Sequence, residues 1–163
     1  MDENRFIDGI TAIGKRGGLW VFDETPQGKS TNSVSWSEWC IMEDFQLDKL
    51  AYKTDITVDT TDIYILDGTC MDEMKQFNKF VADCGGYGKV WIELAKKYKG
   101  LAITPYNRIK FIGNKEYFPW DQTFGWHYTW DCASCVIWDY SCIQKIGKSV
   151  AFQCPNREDL IFF

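Results

Sequence analysis

The residues best suited to chemistry fall in one short segment, WHYTWDCASC, which spans residues 126–135. It contains His127, the only histidine of the chain, a carboxylate at Asp131, and a C-x-x-C pair at Cys132 and Cys135. Histidine and carboxylate groups accept and donate protons, and a carboxylate also stabilises positive charge. A C-x-x-C pair can bind a metal ion or exchange electrons as a dithiol. The segment therefore raises three hypotheses, which are acid–base catalysis, metal binding and redox chemistry.

The cysteine pattern favours packing over metal or redox chemistry. Redox-active C-x-x-C motifs lie at a helix N-terminus, whose dipole lowers the thiol pKa, whereas the strand-like VIWD follows Cys135. A structural zinc site needs four ligands, and Cys142 and Cys154 are 12 residues apart and form no second close pair. The H-x-E and P-C-x-x-C motifs of zinc deaminases are also missing from the sequence. We therefore predict that most of the seven cysteines are small core residues and that the chain binds no metal.

Asp131 is the strongest catalytic candidate, because Trp130 and Cys132 flank it. Burial beside aromatic rings raises the pKa of a carboxylate and costs free energy unless hydrogen bonds compensate. Such a carboxylate has either a catalytic use or a place in a structural network. His127 also lies among aromatic residues, where a packed and hydrogen-bonded side chain is the commoner finding. No Ser or Cys nucleophile in a known motif accompanies it, so we do not expect triad chemistry.

Two tryptophans beyond the first predicted strand suggest a platform for a ligand. Ser35 followed by Glu38 is a capping-box pattern, which predicts the start of a helix. That helix would carry Trp36 and Trp39 on one face. Both rings could cover a sheet as core residues, or one of them could stack on a flat heterocycle.

Composition narrows the range of partners. Of the 163 residues, 45% are hydrophobic and 17% aromatic, which indicates a folded chain rich in bulky side chains. The net charge is −5 and the pI is about 4.9. The largest basic clusters are Lys15–Arg16 and Lys96–Lys97. We therefore do not expect binding of extended nucleic acid, although a single basic pocket remains compatible with these totals.

The sequence predicts a cytoplasmic protein. The first residues, MDENRFIDGI, lack the basic start and the apolar core of a secretory signal. No apolar run approaches the roughly 20 residues that a membrane helix needs, so we expect no membrane partner. The odd number of cysteines fits reduced thiols. The length predicts a single domain over residues 1–163.

Two helices are predicted in the middle of the chain. Apolar residues recur at helical spacing over residues 71–81, and Thr69 with Asp72 offers a capping pair. A second helix is predicted over residues 89–98, with Gly100 as its stop.

Strands outnumber helices in the rest of the chain. Residues 51–58 alternate between apolar and polar side chains, as in a half-buried strand. Because the two central helices are consecutive, the pattern predicts an α+β fold with a mainly antiparallel sheet and two to three helices, and not a doubly wound α/β fold. About seven strands are predicted, in the following segments: 18–24, 51–58, 62–68, 101–106, 108–114, 126–131, 134–139 and 149–154. Segments 126–131 and 134–139 form either two strands or one bent strand.

The order of these segments resembles the ADP-ribosyltransferase superfamily, in its poly(ADP-ribose) polymerase-like and diphtheria-toxin-like branch. GLWVFD (18–23) followed by SWSEWC (35–40) resembles the family's G-[IL]-[YW]-F-x-D strand and S-x-x-[YW]-C helix. SCVIWDYSCI (134–143) resembles its E-Y-[IV]-V-[YF]-D-x-x-[QC]-[IV] segment, and YKGLAITPY (98–106) resembles the strand before it. The chain is also similar to phage and bacterial proteins that carry a WDCASGCIW-type motif. The resemblance extends over about half of the chain, in the form of scattered motifs.

The resemblance implies a split sheet and a cleft that binds NAD as a substrate. By position, Trp20 and Trp39 would hold the nicotinamide ring, with Trp36 beside them. His127 would bind a ribose hydroxyl.

The resemblance also leaves the activity open. The family's catalytic Glu corresponds to Ser134, and a serine cannot supply its charge. Asp131 would then stabilise the positive charge on the ribose, while Ser134 would hydrogen-bond it. An active protein would transfer ADP-ribose from NAD to a protein or nucleic-acid acceptor. The alternatives are a catalytically inactive protein that holds a nucleotide or a partner protein, such as a phage counter-defence factor, and an interaction domain whose aromatic residues are all core.

Overall fold

The computed structural model describes residues 18–23, 35–47, 50–106 and 130–152. The helices are α1 (Trp36–Glu43), α2 (Met71–Asp83) and α3 (Tyr87–Ala95). The strands are β1 (Leu19–Phe22), β2 (Tyr52–Lys53), β3 (Ile56–Val58), β4 (Ile63–Leu66), β5 (Gly100–Ile103), β6 (Ser134–Ile137), β7 (Ile143–Ile146) and β8 (Val150–Ala151). The predicted α+β class is confirmed. The strand predicted at 108–114 and residues 126–129 of the next one lie outside the described residues.

Four strands form the central sheet in the order β1–β6–β5–β4. The pairs β1–β6 and β6–β5 are antiparallel, whereas β4 and β5 are parallel. A parallel pair needs a long crossover connection, and the consecutive helices α2 and α3 supply it. The mainly antiparallel sheet is therefore confirmed, with the two predicted helices forming its one crossover among the described residues.

The two faces of this sheet pack against different elements, because side chains alternate along each strand. One row of paired residues joins the larger core, which α2 and α3 cover: Trp20, Val136, Leu101 and Tyr64. The next row joins a smaller core on the opposite face, next to β3 and β7: Leu19, Ile137 and Ile63.

Helix α2 has the predicted spacing but a different start. The predicted capping by Thr69 and Asp72 is wrong, because the N-cap residue is Cys70, which makes no side-chain capping bond. Thr69 instead donates its backbone N–H and its hydroxyl to Asp67 Oδ1, at 2.7 and 2.6 Å. A local turn of this kind competes with helix capping. The buried residues of α2 are those that the spacing predicts: Met74, Phe77 and Val81.

Helix α3 is shorter at its C-terminal end than residues 89–98. It ends at Ala95, and Gly100 does not stop it but opens the buried strand β5. A Cβ atom at Gly100 would lie 2.7 Å from the carbonyl oxygen of Val136. Glycine is therefore required there by the close approach of β6. None of the helices that the structure describes has both the length and the apolar character to cross a membrane.

A separate antiparallel ribbon is formed by residues 52–58 and 143–151. Its two paired parts, β2/β8 and β3/β7, are joined by two residues on the first strand and by three, 147–149, on the second. The extra residue is a bulge on the second strand. A second register shift, opposite Thr57 and Val58, adds another residue to the same strand, so residues 52–58 run on without an insertion. This agrees with one predicted strand.

The predicted half-burial of that strand holds at only one of its ends. Ile56 and Val58 are half-buried, and Val58 packs on the smaller core. Tyr52 and Thr54, which belong to the same side of the strand by alternation, are exposed. The ribbon therefore extends beyond the surface that the central sheet covers.

We expect Gly100→Ala to lower the free energy of unfolding by about 1–3 kcal/mol, because its Cβ must displace the backbone of β6. Urea unfolding measures this change. Gly88→Ala is the matched control, since nothing lies within 4 Å of its Cβ position in α3. That variant should be unchanged or more stable by up to about 1 kcal/mol, and equal losses in both variants would contradict the close packing of β5 against β6.

Candidate functional site

One end of the β1–β6 pair brings together the two segments that the sequence singles out. Phe22, the last residue of β1, is paired with Ser134, the first residue of β6. The backbone N–H of Asp23 then donates to the carbonyl of Ala133 at 3.0 Å. Asp131 lies two residues further along this segment. The end of β1 and the segment that contains Asp131 therefore run side by side.

Helix α1 begins at the predicted capping box. The Ser35 hydroxyl oxygen accepts from the backbone N–H of Glu38 at 3.2 Å, and the Glu38 carboxylate accepts from the Ser35 N–H at 2.9 Å. The helix ends at Asp44, which has φ 54° and donates its N–H to the Cys40 carbonyl. The N–H of Phe45 donates to the same carbonyl at 2.8 Å, so the chain turns back over the helix.

A stack of three aromatic rings joins α1 to the end of β1. Trp36 lies between Phe22, at a centroid distance of 4.5 Å, and Trp39, at 5.2 Å, with interplanar angles of 14° and 17°. Phe45 contacts both tryptophans edge-on, at 5.9 and 5.2 Å. Both faces of Trp36 are occupied, so Trp36 supports the stack rather than offering a face to a ligand. Among the described rings Trp39 is the last of the stack, and a flat ligand on its outer face would extend the stack.

Trp20 belongs to the core side of the same strand. Its ring lies 4.9 Å from that of Trp130, and it packs against the core beneath α2 and α3. The indole N–H groups of Trp20 and Trp130 are buried and have no acceptor within the described part of the chain. Trp20 and Phe22 are two residues apart and share one face of β1, so the core pair and the ring stack are adjacent.

Ser134 and Asp131 differ in their exposure. Ser134 is buried, and its hydroxyl donates to the Cys132 carbonyl at 3.1 Å. Asp131 is half-buried and lies three residues before the start of β6. His127 lies outside the described residues.

Two polar contacts at this end of the sheet were not predicted. The Thr104 hydroxyl donates to the Asp23 carboxylate at 2.9 Å, which ties β5 to β1 across β6. The Tyr106 hydroxyl donates to the Trp130 carbonyl at 2.6 Å. The sequence shows Asp23 only as an acid at the end of a strand, a position that is usually solvated. Nothing local indicates that a residue 81 positions away binds it.

The C-x-x-C pair has the environment of core residues. Cys132 is fully buried, and strand β6, not a helix, follows it. Burial next to Cys142 raises the pKa of the Cys135 thiol from 9.0 to about 12. Thiols of this kind stay protonated and unreactive near neutral pH. The described residues contain no group of three or more His, Cys, Asp or Glu side chains that could hold a metal ion, and Cys154 lies outside them.

Comparison of the chain with protein-family models, with curated proteins and with solved structures gave no match in any of the three.

We expect Ser35→Ala to destabilise α1 and to loosen the ring stack, because one N-terminal N–H group loses its acceptor. The free energy of unfolding should fall by about 1 kcal/mol. The near-ultraviolet circular dichroism of the stacked tryptophans should weaken, while the far-ultraviolet signal should stay nearly constant. Ser141→Ala, which removes an exposed hydroxyl on a distant turn, is the control and should leave both signals unchanged.

We expect the buried Cys135 thiol to make the protein less stable as the pH rises above 9. The folded-state pKa is about 12, whereas the unfolded thiol titrates near its ordinary value of 9.0, so the unfolded state loses its proton first. Stability from this group is complete below pH 9 and falls by at most about 1.4 kcal/mol per pH unit above it. Unfolding of Cys135→Ala between about pH 8 and pH 10 should show a shallower decline than the wild type. Parallel declines would contradict the buried, protonated thiol.

Proposed function

We propose that this chain is an ADP-ribosyltransferase-like protein that binds NAD at the end of the β1–β6 pair. The observation that carries the proposal is the strand order. Three of the four segments with the family's motifs form β1, β6 and β5, which are distant in sequence but are hydrogen-bonded neighbours in one sheet. Motifs scattered over the chain therefore converge on one place, as the parts of a single site must.

The aromatic residues at this place suit the flat rings of a dinucleotide. A heterocycle on the outer face of Trp39 would extend the existing stack by one ring. Trp36 and Phe22 hold the Trp39 ring in position. The ring stack is already formed, so little conformational entropy would be lost on binding.

Asp131 supplies the charge that the transfer reaction needs. When the bond between the nicotinamide nitrogen and the ribose breaks, nicotinamide leaves with the electron pair and positive charge develops on the ribose. The carboxylate of Asp131 would stabilise this charge until the acceptor nucleophile attacks. Ser134 would donate a hydrogen bond to the ribose. His127 would bind a ribose hydroxyl, as the resemblance implies.

The reaction belongs in the cytoplasm, where NAD is available, and the acceptor is a protein or a nucleic acid.

One observation favours a second function, the binding of a nucleotide or partner protein without turnover. The position of the family's catalytic Glu is occupied by Ser134, whose side chain is buried and already donates to the Cys132 carbonyl. A protein that kept the aromatic platform but used it only for recognition would have this arrangement. The two functions share the binding surface and differ in the role of Asp131.

Binding is tested by calorimetric titration with NAD. We expect Trp39→Ala to raise the Kd about 5-fold to 100-fold, because one base–aromatic stacking contact is lost. Trp39→Phe should restore most of the affinity, which separates loss of stacking from loss of folding. Tyr140→Ala, at an exposed aromatic residue after β6, is the control and should bind like the wild type. No binding by the wild type, or equal binding by Trp39→Ala, would overturn the proposed site.

Turnover is tested by nicotinamide release and by transfer of labelled ADP-ribose to proteins and nucleic acids of a cell lysate. Under the transferase proposal, Asp131→Asn should lose at least about tenfold in rate while keeping the wild-type Kd for NAD. Binding without release by the wild type would establish the second function instead. Release that is unchanged in Asp131→Asn would contradict the role given to this carboxylate.

A further inference from the structure

The ribbon strand of residues 52–58 has an open edge. Its backbone groups at Ala51 and Asp55 face the second ribbon strand, because Ala51 O accepts from Phe152 and Asp55 O accepts from Gly147, at 2.9 and 2.8 Å. Backbone groups alternate in direction along an extended strand. Those of residues 52, 54 and 56 therefore point away from the ribbon, and no strand among the described residues pairs with them.

The side chains along this edge are strongly exposed. Tyr52 is 72% exposed, although an aromatic ring of this size is normally covered. Lys53 and Asp55 point to one side of the strand, with Lys53 Nζ 3.9 Å from Asp55 Oδ1 and side-chain exposures of 51% and 87%. An open, exposed and partly apolar edge of this kind is a template for pairing with another strand.

We propose that this edge pairs with the same edge of a second copy of the chain, antiparallel and centred on Thr54. Around a two-fold axis at this residue, Thr54 faces Thr54, Tyr52 faces Ile56, and Lys53 faces Asp55 of the other copy. The outward backbone groups of residues 52, 54 and 56 then meet as hydrogen-bonded pairs, with two bonds in each pair. The residues with outward backbone groups are thus the ones that this register pairs.

Charge and shape select this register over its neighbours. Each Lys53 lies opposite an Asp55 in a non-hydrogen-bonded pair, where side chains are closest, and opposite charges there are favourable. Each Tyr52 ring covers an Ile56 side chain, an aromatic–β-branched pair. A self-complementary edge closes into a dimer with two-fold symmetry and does not propagate. The partner is therefore a second copy of the chain, and the four-stranded sheet so formed removes one open edge of the ribbon.

A lysine on an edge strand often serves the opposite purpose, which is to prevent pairing. The two roles differ in what Asp55 does. As a pairing partner, Asp55 neutralises the lysine of the other copy. If Lys53 only prevented pairing, replacing Asp55 would leave the protein a monomer as before. Charge reversal at Lys53 and at Asp55 therefore distinguishes an edge that pairs with a second copy from an edge that prevents pairing.

Sedimentation velocity of the full chain at up to about 1 mM protein measures the association. We expect the wild type to show a monomer–dimer equilibrium. Lys53→Asp and Asp55→Lys should each raise the dimer Kd at least about tenfold, because like charges then face each other twice. Both side chains are exposed, so both variants should fold, and circular dichroism checks this.

Mixing the two variants gives the decisive result. Lys53→Asp carries two acidic residues on the edge and Asp55→Lys carries two basic ones, so the mixture should form a heterodimer with every charge opposed. Asp83→Lys, an exposed charge reversal at the end of α2 and away from the ribbon, should associate like the wild type. A wild type that stays monomeric over the whole concentration range, or a mixture that stays as dissociated as the separate variants, would overturn the proposal.

Discussion

The antiparallel pairing of β1 with β6 is the constraint on which the other arrangements depend. It joins residues more than a hundred positions apart and places β6 between β1 and β5. Because Phe22 is fixed beside Ser134, the ring stack of α1 adjoins the segment that carries Asp131. The same register sets which side chains of β1 enter the core beneath the helices. A shift by one residue would move Trp20 to the opposite face and dismantle both cores.

The sequence was informative where local chemistry decides the structure. The capping box at Ser35 and the helical spacing of α2 depend on neighbours a few positions away, and they were predicted correctly. The alternation of residues 52–58 predicted a strand, but the expected half-burial holds only at Ile56 and Val58. The predicted cap at Thr69 was wrong, because Asp67 offered its hydroxyl a nearer acceptor. The contacts that build the candidate site, from the Phe22 ring to the Thr104 hydroxyl, join distant segments, and no local pattern encodes their register. The single domain and the role of His127 stay predictions.

The candidate site combines a packed aromatic cluster with a carboxylate from a distant segment of the chain. Stacking on both faces holds Trp36, and the edge contacts of Phe45 close the cluster, so its geometry does not depend on a ligand. Asp131 is half-buried and lies outside strand β6. Under the proposed function, the ring stack serves recognition and Asp131 serves the transfer reaction. The ribbon edge belongs to neither of them, since residues 52–58 pair only with residues 143–151 among the described strands.

The position of β6 between β1 and β5 has a consequence for biosynthesis. A ribosome makes β1 first and β6 more than a hundred residues later, at about 5–20 residues per second. Until β6 emerges, β1 lacks the one partner strand that the described part of the chain gives it, and the edge of β5 that β6 will cover lies beside the finished β4–α2–α3 crossover. The nascent chain therefore holds a half-built sheet for several seconds. The last strand to arrive is the one that joins the two halves, so the sheet is completed as a late, long-range step of folding.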